Sequence, residues 1–410
     1  MKHKTALVFY YTDTNRYSYN ALMGSLETDE YFNDLEIFCI KDSTELIKKL
    51  DSITNTFEVT ILGISFFTIQ KDTIAQFLNY IKSKYDSNII YVAGGPHPTA
   101  KPKETLQLGF NFVVYSEGEE SFKSLLKTID SGSSPFQVKG VAFFDSSGKF
   151  VFTGKNNQID INLYLPITTK YNHYGPIEIT RGCSFGCSYC QTSYLFGKKL
   201  RHRSVENILK YVEYMAKINL KDFRAISPDA FSYGSEDGKQ INYSEIEKLL
   251  CGIKKIVKPE GKVFFGTFPS EVRPEHVNDQ TIKLILKYTD NTNLVVGAQS
   301  GSQKILDLCN RKHTVEDIIK SVEVITKHKL KANVDFIFGL PGETEEDVLE
   351  TLKLMEKLVK FGVRIHAHTF SPLPQTPFAN KKHGSIHPKI KEFLTKYLPE
   401  GKVYGNNFTI

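Results

Sequence analysis

Thr180-Arg181-Gly182-Cys183-Ser184-Phe185-Gly186-Cys187-Ser188-Tyr189-Cys190 is the segment on which the reading of this chain turns. Three thiols stand at C-x3-C-x2-C spacing, directly after a strand-like run at 177–180. A short loop with three thiolates can hold three irons of a cubane cluster and leave the fourth open to a small chelating ligand. Gly182 and Gly186 let the backbone close tightly around such a group. A structural zinc site wants four ligands, usually in paired C-x2-C knuckles. Here the fourth would have to come from Cys251, Cys309 or a histidine, none of them in a knuckle. The loop's place at the end of a strand, where barrel sites form, also favours the cluster.

Working outward, residues 176–378 alternate strand and helix, with strands expected at 177–180, 223–227, 263–267, 294–298, 333–338 and 364–370. Six such units predict a partial (β/α)6 TIM-type barrel over residues 173–378. Upstream, short apolar runs at 5–11, 35–40, 59–65, 89–93 and 112–115 alternate with helical stretches at 19–26, 43–52, 72–84 and after Glu119. That pattern predicts a doubly wound, Rossmann-like parallel sheet over residues 1–130. Ser131-Gly132-Ser133-Ser134-Pro135 opens a turn-rich linker, 131–172, which carries a hairpin around Asp145-Ser146-Ser147-Gly148. Residues 379–410 are too short for a further domain and are expected to cap the barrel.

The bulk numbers agree with an α/β protein of two domains. The chain has 410 residues, 40% apolar and 24% charged, with a net charge of +6 spread along its length. Charge alone therefore implies no nucleic-acid partner. No apolar run approaches the ~20 residues of a bilayer span, and Met1-Lys2-His3-Lys4 does not open a signal peptide. A cytoplasmic location without membrane attachment is the expectation. Cys39, Cys251 and Cys309 are scattered, which does not resemble a disulfide framework.

With an aromatic, Tyr189, before its last cysteine, the loop resembles the signature of the radical S-adenosylmethionine (SAM) superfamily. The resemblance implies a 4Fe–4S cluster held by Cys183, Cys187 and Cys190, its open iron chelated by the amino and carboxylate groups of SAM. Reductive cleavage would give a 5′-deoxyadenosyl radical, with electrons from an external low-potential donor of the ferredoxin or flavodoxin type. Tyr189 would lie near the adenine. Val296-Gly297-Ala298-Gln299-Ser300-Gly301-Ser302 resembles the fourth-strand motif, placing Gln299 and Ser300 on the cosubstrate. Phe268-Pro269-Ser270-Glu271-Val272-Arg273 follows the third strand, where ribose and carboxylate contacts fall, and offers Ser270 and Arg273. Asp335-Phe336-Ile337-Phe338-Gly339-Leu340-Pro341-Gly342-Glu343-Thr344 resembles the fifth-strand turn. Where the family carries a glycine–glycine–glutamate motif for the methionine amino group, this chain has Ser227-Pro228-Asp229, which leaves Asp229 as the acceptor.

The first domain is similar to the cobalamin-binding domain fused to radical enzymes. Ala93-Gly94-Gly95-Pro96-His97-Pro98 and Tyr115-Ser116-Glu117-Gly118-Glu119-Glu120 follow its fourth and fifth strands, at the carboxyl edge of the sheet. The contacts so implied are Gly94, Gly95, Pro96, His97, Glu117 and Gly118, with Ser65 after the third strand and Tyr11, Thr12, Asp13 and Asn15 after the first. Phe66, Phe67, Tyr10 and Tyr11 either pack on the corrin or fill core. The family's D-x-H-x-x-G motif supplies a histidine to cobalt, but here the loop reads Asp13-Thr14-Asn15-Arg16-Tyr17-Ser18, without the histidine or the glycine. Several cobalamin-dependent radical methyltransferases lack that ligand, and methyl is then easier to deliver as a radical.

The expected activity is C-methylation of an unactivated carbon on a protein, peptide or small-molecule substrate. In the methanogen-type branch this would be a side chain such as a glutamine of methyl-coenzyme M reductase. Methylthiolation is the alternative, but it needs a second cysteine set and Cys39 is alone in the first half. A cobalamin-assisted rearrangement is a further alternative. His366 and His368 share one strand face near the barrel mouth, where satisfied strand-end residues are the plainer reading.

Overall fold

The computed structural model describes residues 5–85 and 89–405, which fall into two compact units, Met1–Gly175 and Pro176–Ile410. In the first, strands β1 (Thr5–Tyr10), β2 (Glu36–Ile40), β3 (Val59–Ser65), β4 (Ile89–Gly94) and β5 (Phe112–Val114) alternate with α1 (Arg16–Leu26), α2 (Ser43–Thr56), α3 (Lys71–Tyr85), α4 (Pro96–Ala100) and α5 (Pro102–Gln107). Helix α6 (Gly118–Asp130) and a hairpin, β6 (Val141–Phe144) with β7 (Phe150–Phe152), follow. The sheet order is β2-β1-β3-β4-β5-β6-β7, parallel through β5 and antiparallel beyond it.

Both faces of this sheet are covered, as continuous apolar strands require. Along β1, Ala6 and Val8 enter one core with Leu46, Leu50, Leu78 and Ile81 of α2 and α3. Leu7 and Phe9 enter the other, with Tyr19, Met23, Phe122 and Leu125 of α1 and α6. The hairpin read within 131–172 forms, and it lengthens the sheet by pairing β6 with β5. The rest of that segment is held to the same unit by two acids, Glu27 half-buried and Glu117 buried. Glu27 accepts from Thr168, Thr169 and Lys170, and Glu117 accepts from the Ile159 amide at 3.1 Å.

The second unit begins with β8 (Ile177–Glu178) and β9 (Thr180–Arg181). The cysteine loop follows, then α7 (Thr192–Phe196) and β10 (Arg201–His202), which pairs antiparallel with β9. Next come α8 (Val205–Lys217), β11 (Phe223–Ile226), α9 (Tyr243–Val257), β12 (Val263–Phe264), α10 (Asp279–Tyr288), β13 (Asn293–Gln299), α11 (Gln303–Leu308) and α12 (Val315–Lys327). Strand β14 (Lys331–Phe338), α13 (Glu345–Lys360), β15 (Arg364–Thr369), α14 (Pro388–Tyr397) and β16 (Val403–Tyr404) complete it. Two parallel ladders, β8-β11-β12 and β13-β14-β15-β16, are joined where Val295 donates to the Gly266 carbonyl at 3.0 Å and Val272 bridges to Val296. The six expected strands are therefore present and in order, as a partial barrel. Residues beyond 378 contribute α14 and β16, which pairs with β15. The helices are capped by their own sequence, with Thr314–Asp317 and Thr344–Asp347 forming capping boxes at α12 and α13.

Candidate radical-generating and cofactor sites

The β9–β10 ladder closes the base of the cysteine loop, and Cys183 N–H donates to the Gly197 carbonyl at 3.1 Å. Gly182 makes that closure possible: its φ is +93°, and a Cβ there would lie 2.3 Å from the Lys199 carbonyl. The far side of the loop is held by residues 308–311. Ser188 N–H donates to the Cys309 carbonyl at 2.9 Å, and Asn310 Nδ2 donates to the carbonyls of Phe185 and Gly186 at 3.0 Å. Ser193 Oγ binds the Cys183 carbonyl at 2.8 Å, and Gln191 Nε2 binds that of Pro374 at 3.0 Å. The backbone of the loop is thus fixed with its thiols left free of any disulfide. Burial pushes the Cys183 and Cys190 thiols up, so a cationic centre is what would hold them as thiolates.

Beside the loop, three polar side chains converge over Gly297. A Cβ on that glycine would lie 2.5 Å from Arg311 Nη2, 2.8 Å from Glu271 Oε2 and 2.9 Å from Gln299 Nε2. Arg311 is buried; its Nη2 donates to the Gly297 carbonyl at 2.6 Å and its Nη1 lies 3.8 Å from Cys187 Sγ. Burial opposes its charge, but Tyr189, Cys187 and Glu271 raise its pKa overall. Burial pushes the Glu271 carboxyl up to about 7, with Arg311 pulling it down and Asp335 and Asp229 pushing it up. Gln299 reaches this place through an irregularity in the β13–β14 register between Gly297 and Gln299, at a φ of +75°. The Tyr189 hydroxyl finds no hydrogen-bond partner among the described residues, and its ring packs with Ile305, Leu340, Phe370 and Phe378.

Other residues singled out from sequence are committed to protein partners. Asp229 accepts from the Phe231 and Arg273 amides at 3.3 Å and pairs with His276 Nδ1 at 2.5 Å. Ser270 donates to the Ala225 carbonyl at 2.8 Å and accepts from Ser227 N–H at 3.0 Å, tying the end of β11 to the loop after β12. Arg273 lies over the Phe185 ring at 3.5 Å, binds Glu275 at 2.5 Å and donates to the Arg311 carbonyl. Ser300 Oγ accepts from Ser302 N–H at 3.2 Å and holds the turn after β13. These four build the walls of the site, whereas Glu271 and Arg311 present charge to its interior. Neither stands out in the sequence, although Glu271 lies between Ser270 and Arg273 in the family-like run after the third strand.

In the first unit, the order β2-β1-β3-β4-β5 reverses direction between β1 and β3, where open α/β sheets bind ligands. Asn15 lies across that point. Its Nδ2 donates to the carbonyls of Tyr10 at 3.1 Å and Ser65 at 3.0 Å, and its Oδ1 accepts from Thr12 N–H at 2.8 Å. An amide that bridges two strand ends thus occupies the place of the family's histidine. Tyr11 is buried against Asn20 and the His173 ring, and Asp13 is exposed beside Arg16. Gly94 has open space where a Cβ would stand, while Gly95, at a φ of +92°, abuts Ser65 Oγ. Pro96 opens α4. His97 is buried, with its ring on Phe66 and Nδ1 against Thr68 Oγ1 at 3.2 Å, and so packs rather than projects. Gly118 makes room for Leu22, and Glu117 holds residue 159. Phe66 is core, whereas Phe67 and Ile69 are exposed just beyond β3, an apolar edge beside Gly94 and Gly95.

A parallel sheet with a ligand-ready switch point, followed by a partial barrel whose first strand leads into a three-thiol loop, defines a two-domain radical enzyme of the cobalamin-associated class. Residues 177–355 match the Radical SAM superfamily and residues 20–126 match the B12 binding domain, so the second unit is a radical SAM domain and the first a B12-binding domain. The cofactors of this pair are a 4Fe–4S cluster, SAM and cobalamin.

Among curated relatives, the tRNA-2-methylthio-N(6)-dimethylallyladenosine synthase of Petrotoga mobilis is 27% identical, over 78% of this chain and 72% of that protein. The structure is similar to TsrM, a radical SAM methyltransferase from Kitasatospora setae solved with cobalamin and a [4Fe-4S] cluster. Here the TM-score is 0.73 and the identity 15%, over 92% of this chain and 77% of that one. It is also similar to the cobalamin-dependent radical SAM enzyme OxsB, with a TM-score of 0.66 at 18% identity over 86% of this chain; the chain spans about half of OxsB, 51%. At these identities the structural likeness establishes the fold. Among the described residues no helix is long and apolar enough to cross a membrane.

Proposed function

We propose that this radical SAM enzyme is a cobalamin-dependent C-methyltransferase acting on an unactivated carbon. The observation that carries the reading is Asn15, whose amide is engaged by Tyr10, Thr12 and Ser65, so the loop after β1 offers cobalt no imidazole. When bound, the cluster and SAM supply hydrogen-atom abstraction, and cobalamin supplies the methyl group.

The chain's own residues would do the following. Cys183, Cys187 and Cys190 hold the cluster, within a loop pinned from both sides. Arg311 and Glu271, converging over Gly297, suit the carboxylate and ammonium of the methionine moiety, and the Gln299 amide joins them. The orphan Tyr189 hydroxyl and its apolar surround suit a nucleoside. Asp229 then serves to fix His276 and the Arg273 backbone rather than to receive the amino group. In the first unit, open space at Gly94 and exposed Phe67 and Ile69 suit the broad apolar face of a corrin. An external low-potential donor would supply electrons, and the acceptor would be a protein or peptide side chain or a small molecule.

The relative from Petrotoga favours methylthiolation as a second reading. Cys39 is the one thiol in the first 182 residues, half-buried with its pKa pushed up to about 12 by burial, and a second cluster would need several. Anaerobic reconstitution with iron, sulfide and cobalamin, followed by incubation with candidate peptides, glutamine-containing ones first, should give a gain of one methyl mass. A protein with its cluster intact that retains no cobalamin, or a product heavier by a methylthio group, would overturn the proposal.

A further inference from the structure

A cluster of ligating groups that these cofactors do not use lies on β14 and β15. Asp335 and His366 are opposite each other in the parallel register, and His368 follows two residues on, on the same face. Asp335 Oδ1 is 3.1 Å from His366 Nδ1, which is 3.0 Å from His368 Nε2, and the three ligand atoms all lie within 4.8 Å of one another. The next residue in this row, Tyr404 on β16, stacks flat on His366 with ring centres 4.4 Å apart and 5° between planes, which fixes that imidazole.

Proton placement does not satisfy this arrangement. A proton on His366 Nδ1 can serve the carboxylate or His368 well, but not both. Without that proton, the single lone pair of Nδ1 can accept from His368, and the Asp335 carboxylate then faces that nitrogen with no proton between them. A cation satisfies all three lone pairs together. Donors bound at about 2.0–2.2 Å to one metal ion stand roughly 2.8–3.6 Å apart at angles of about 90–110°, and the two short edges here, 3.1 and 3.0 Å, fall within that range. A histidine–x–histidine pair on a strand with a carboxylate from its neighbour is a donor set for a borderline divalent ion.

We propose that Asp335, His366 and His368 form a zinc site in the second unit, with a coordination position left for water or an oxygen of the substrate. Asp335 acts on the Glu271 carboxyl electrostatically, so the ion would also bear on the polar group over Gly297.

The test is metal analysis of the cluster-loaded full chain after equilibration with zinc and gel filtration, with zinc and iron read in the same sample. Wild type should retain one zinc per chain beyond its cluster iron. H368A, a change at an exposed position, and D335N, nearly isosteric, should each retain at least tenfold less zinc at unchanged iron. Unchanged iron reports a folded cluster domain, so loss of zinc is separable from failure of the radical SAM reading. Wild type without zinc, or both variants retaining it at the wild-type level, would overturn the site.

Discussion

Replacing Gly297 by alanine tests the polar convergence at its centre. The residue sits in β13 and is not among the glycines of positive φ, so alanine imposes no backbone strain. Its methyl group would instead stand 2.5 Å from Arg311 Nη2, 2.8 Å from Glu271 Oε2 and 2.9 Å from Gln299 Nε2, where no real Cβ sits. At least one of the two charged groups must turn away. A hydrogen bond to a charged group is worth about 1.5–3 kcal/mol, and each 1.4 kcal/mol is about tenfold in binding. SAM affinity should therefore fall roughly 10- to 150-fold. The measurement is equilibrium binding of SAM to anaerobically reconstituted protein, with iron content as the control that the cysteine loop still holds its cluster. Full iron together with SAM affinity within about twofold of wild type would refute the assignment of Arg311 and Glu271 to the methionine end.

The raised Glu271 carboxyl gives a pH test. With a pKa of about 7 when unliganded, it is mostly neutral at pH 6 and ionised at pH 8. Only the ionised form pairs with an ammonium, so lowering the pH from 8 to 6 should weaken SAM binding about tenfold by linkage. E271Q should remove that component and bind weakly at both values; an equal pH response in E271Q would refute the role. Asn15→Ala should leave the carbonyls of Tyr10 and Ser65 and the Thr12 amide without their partner. We expect a loss of about 2–4 kcal/mol, seen as a fall of roughly 5–15 °C in the melting temperature of the first unit, along with weaker cobalamin retention. An unchanged melt would mean that Asn15 does not tie β1 to β3. Alanine at Cys183, Cys187 or Cys190 should abolish iron loading and leave cobalamin content near wild type, both read from absorbance and metal analysis.

Strand order and the cysteine loop were legible because they rest on short-range signals. Apolar runs alternate with amphipathic stretches, and C-x3-C-x2-C spacing survives any packing. The assignment of individual polar residues was not legible, because it depends on which partners the fold brings within hydrogen-bond reach. Asp229 reads as a free acceptor in sequence, yet His276, 47 residues away, engages it at 2.5 Å. Arg273 reads as a ligand contact, yet its Nε pairs with Glu275, its Nη2 donates to the Arg311 carbonyl and its guanidinium lies over the Phe185 ring. Arg311 lies outside the family-like runs and becomes central because Gly297 has no side chain to keep it away. The same reasoning separates the histidines. His97 sits in a family-like run but is absorbed by Phe66 and Thr68, whereas His366 and His368 gain a carboxylate that only the β14–β15 register supplies. A motif thus locates a strand end, and the groups that the fold brings together there decide what that end can bind.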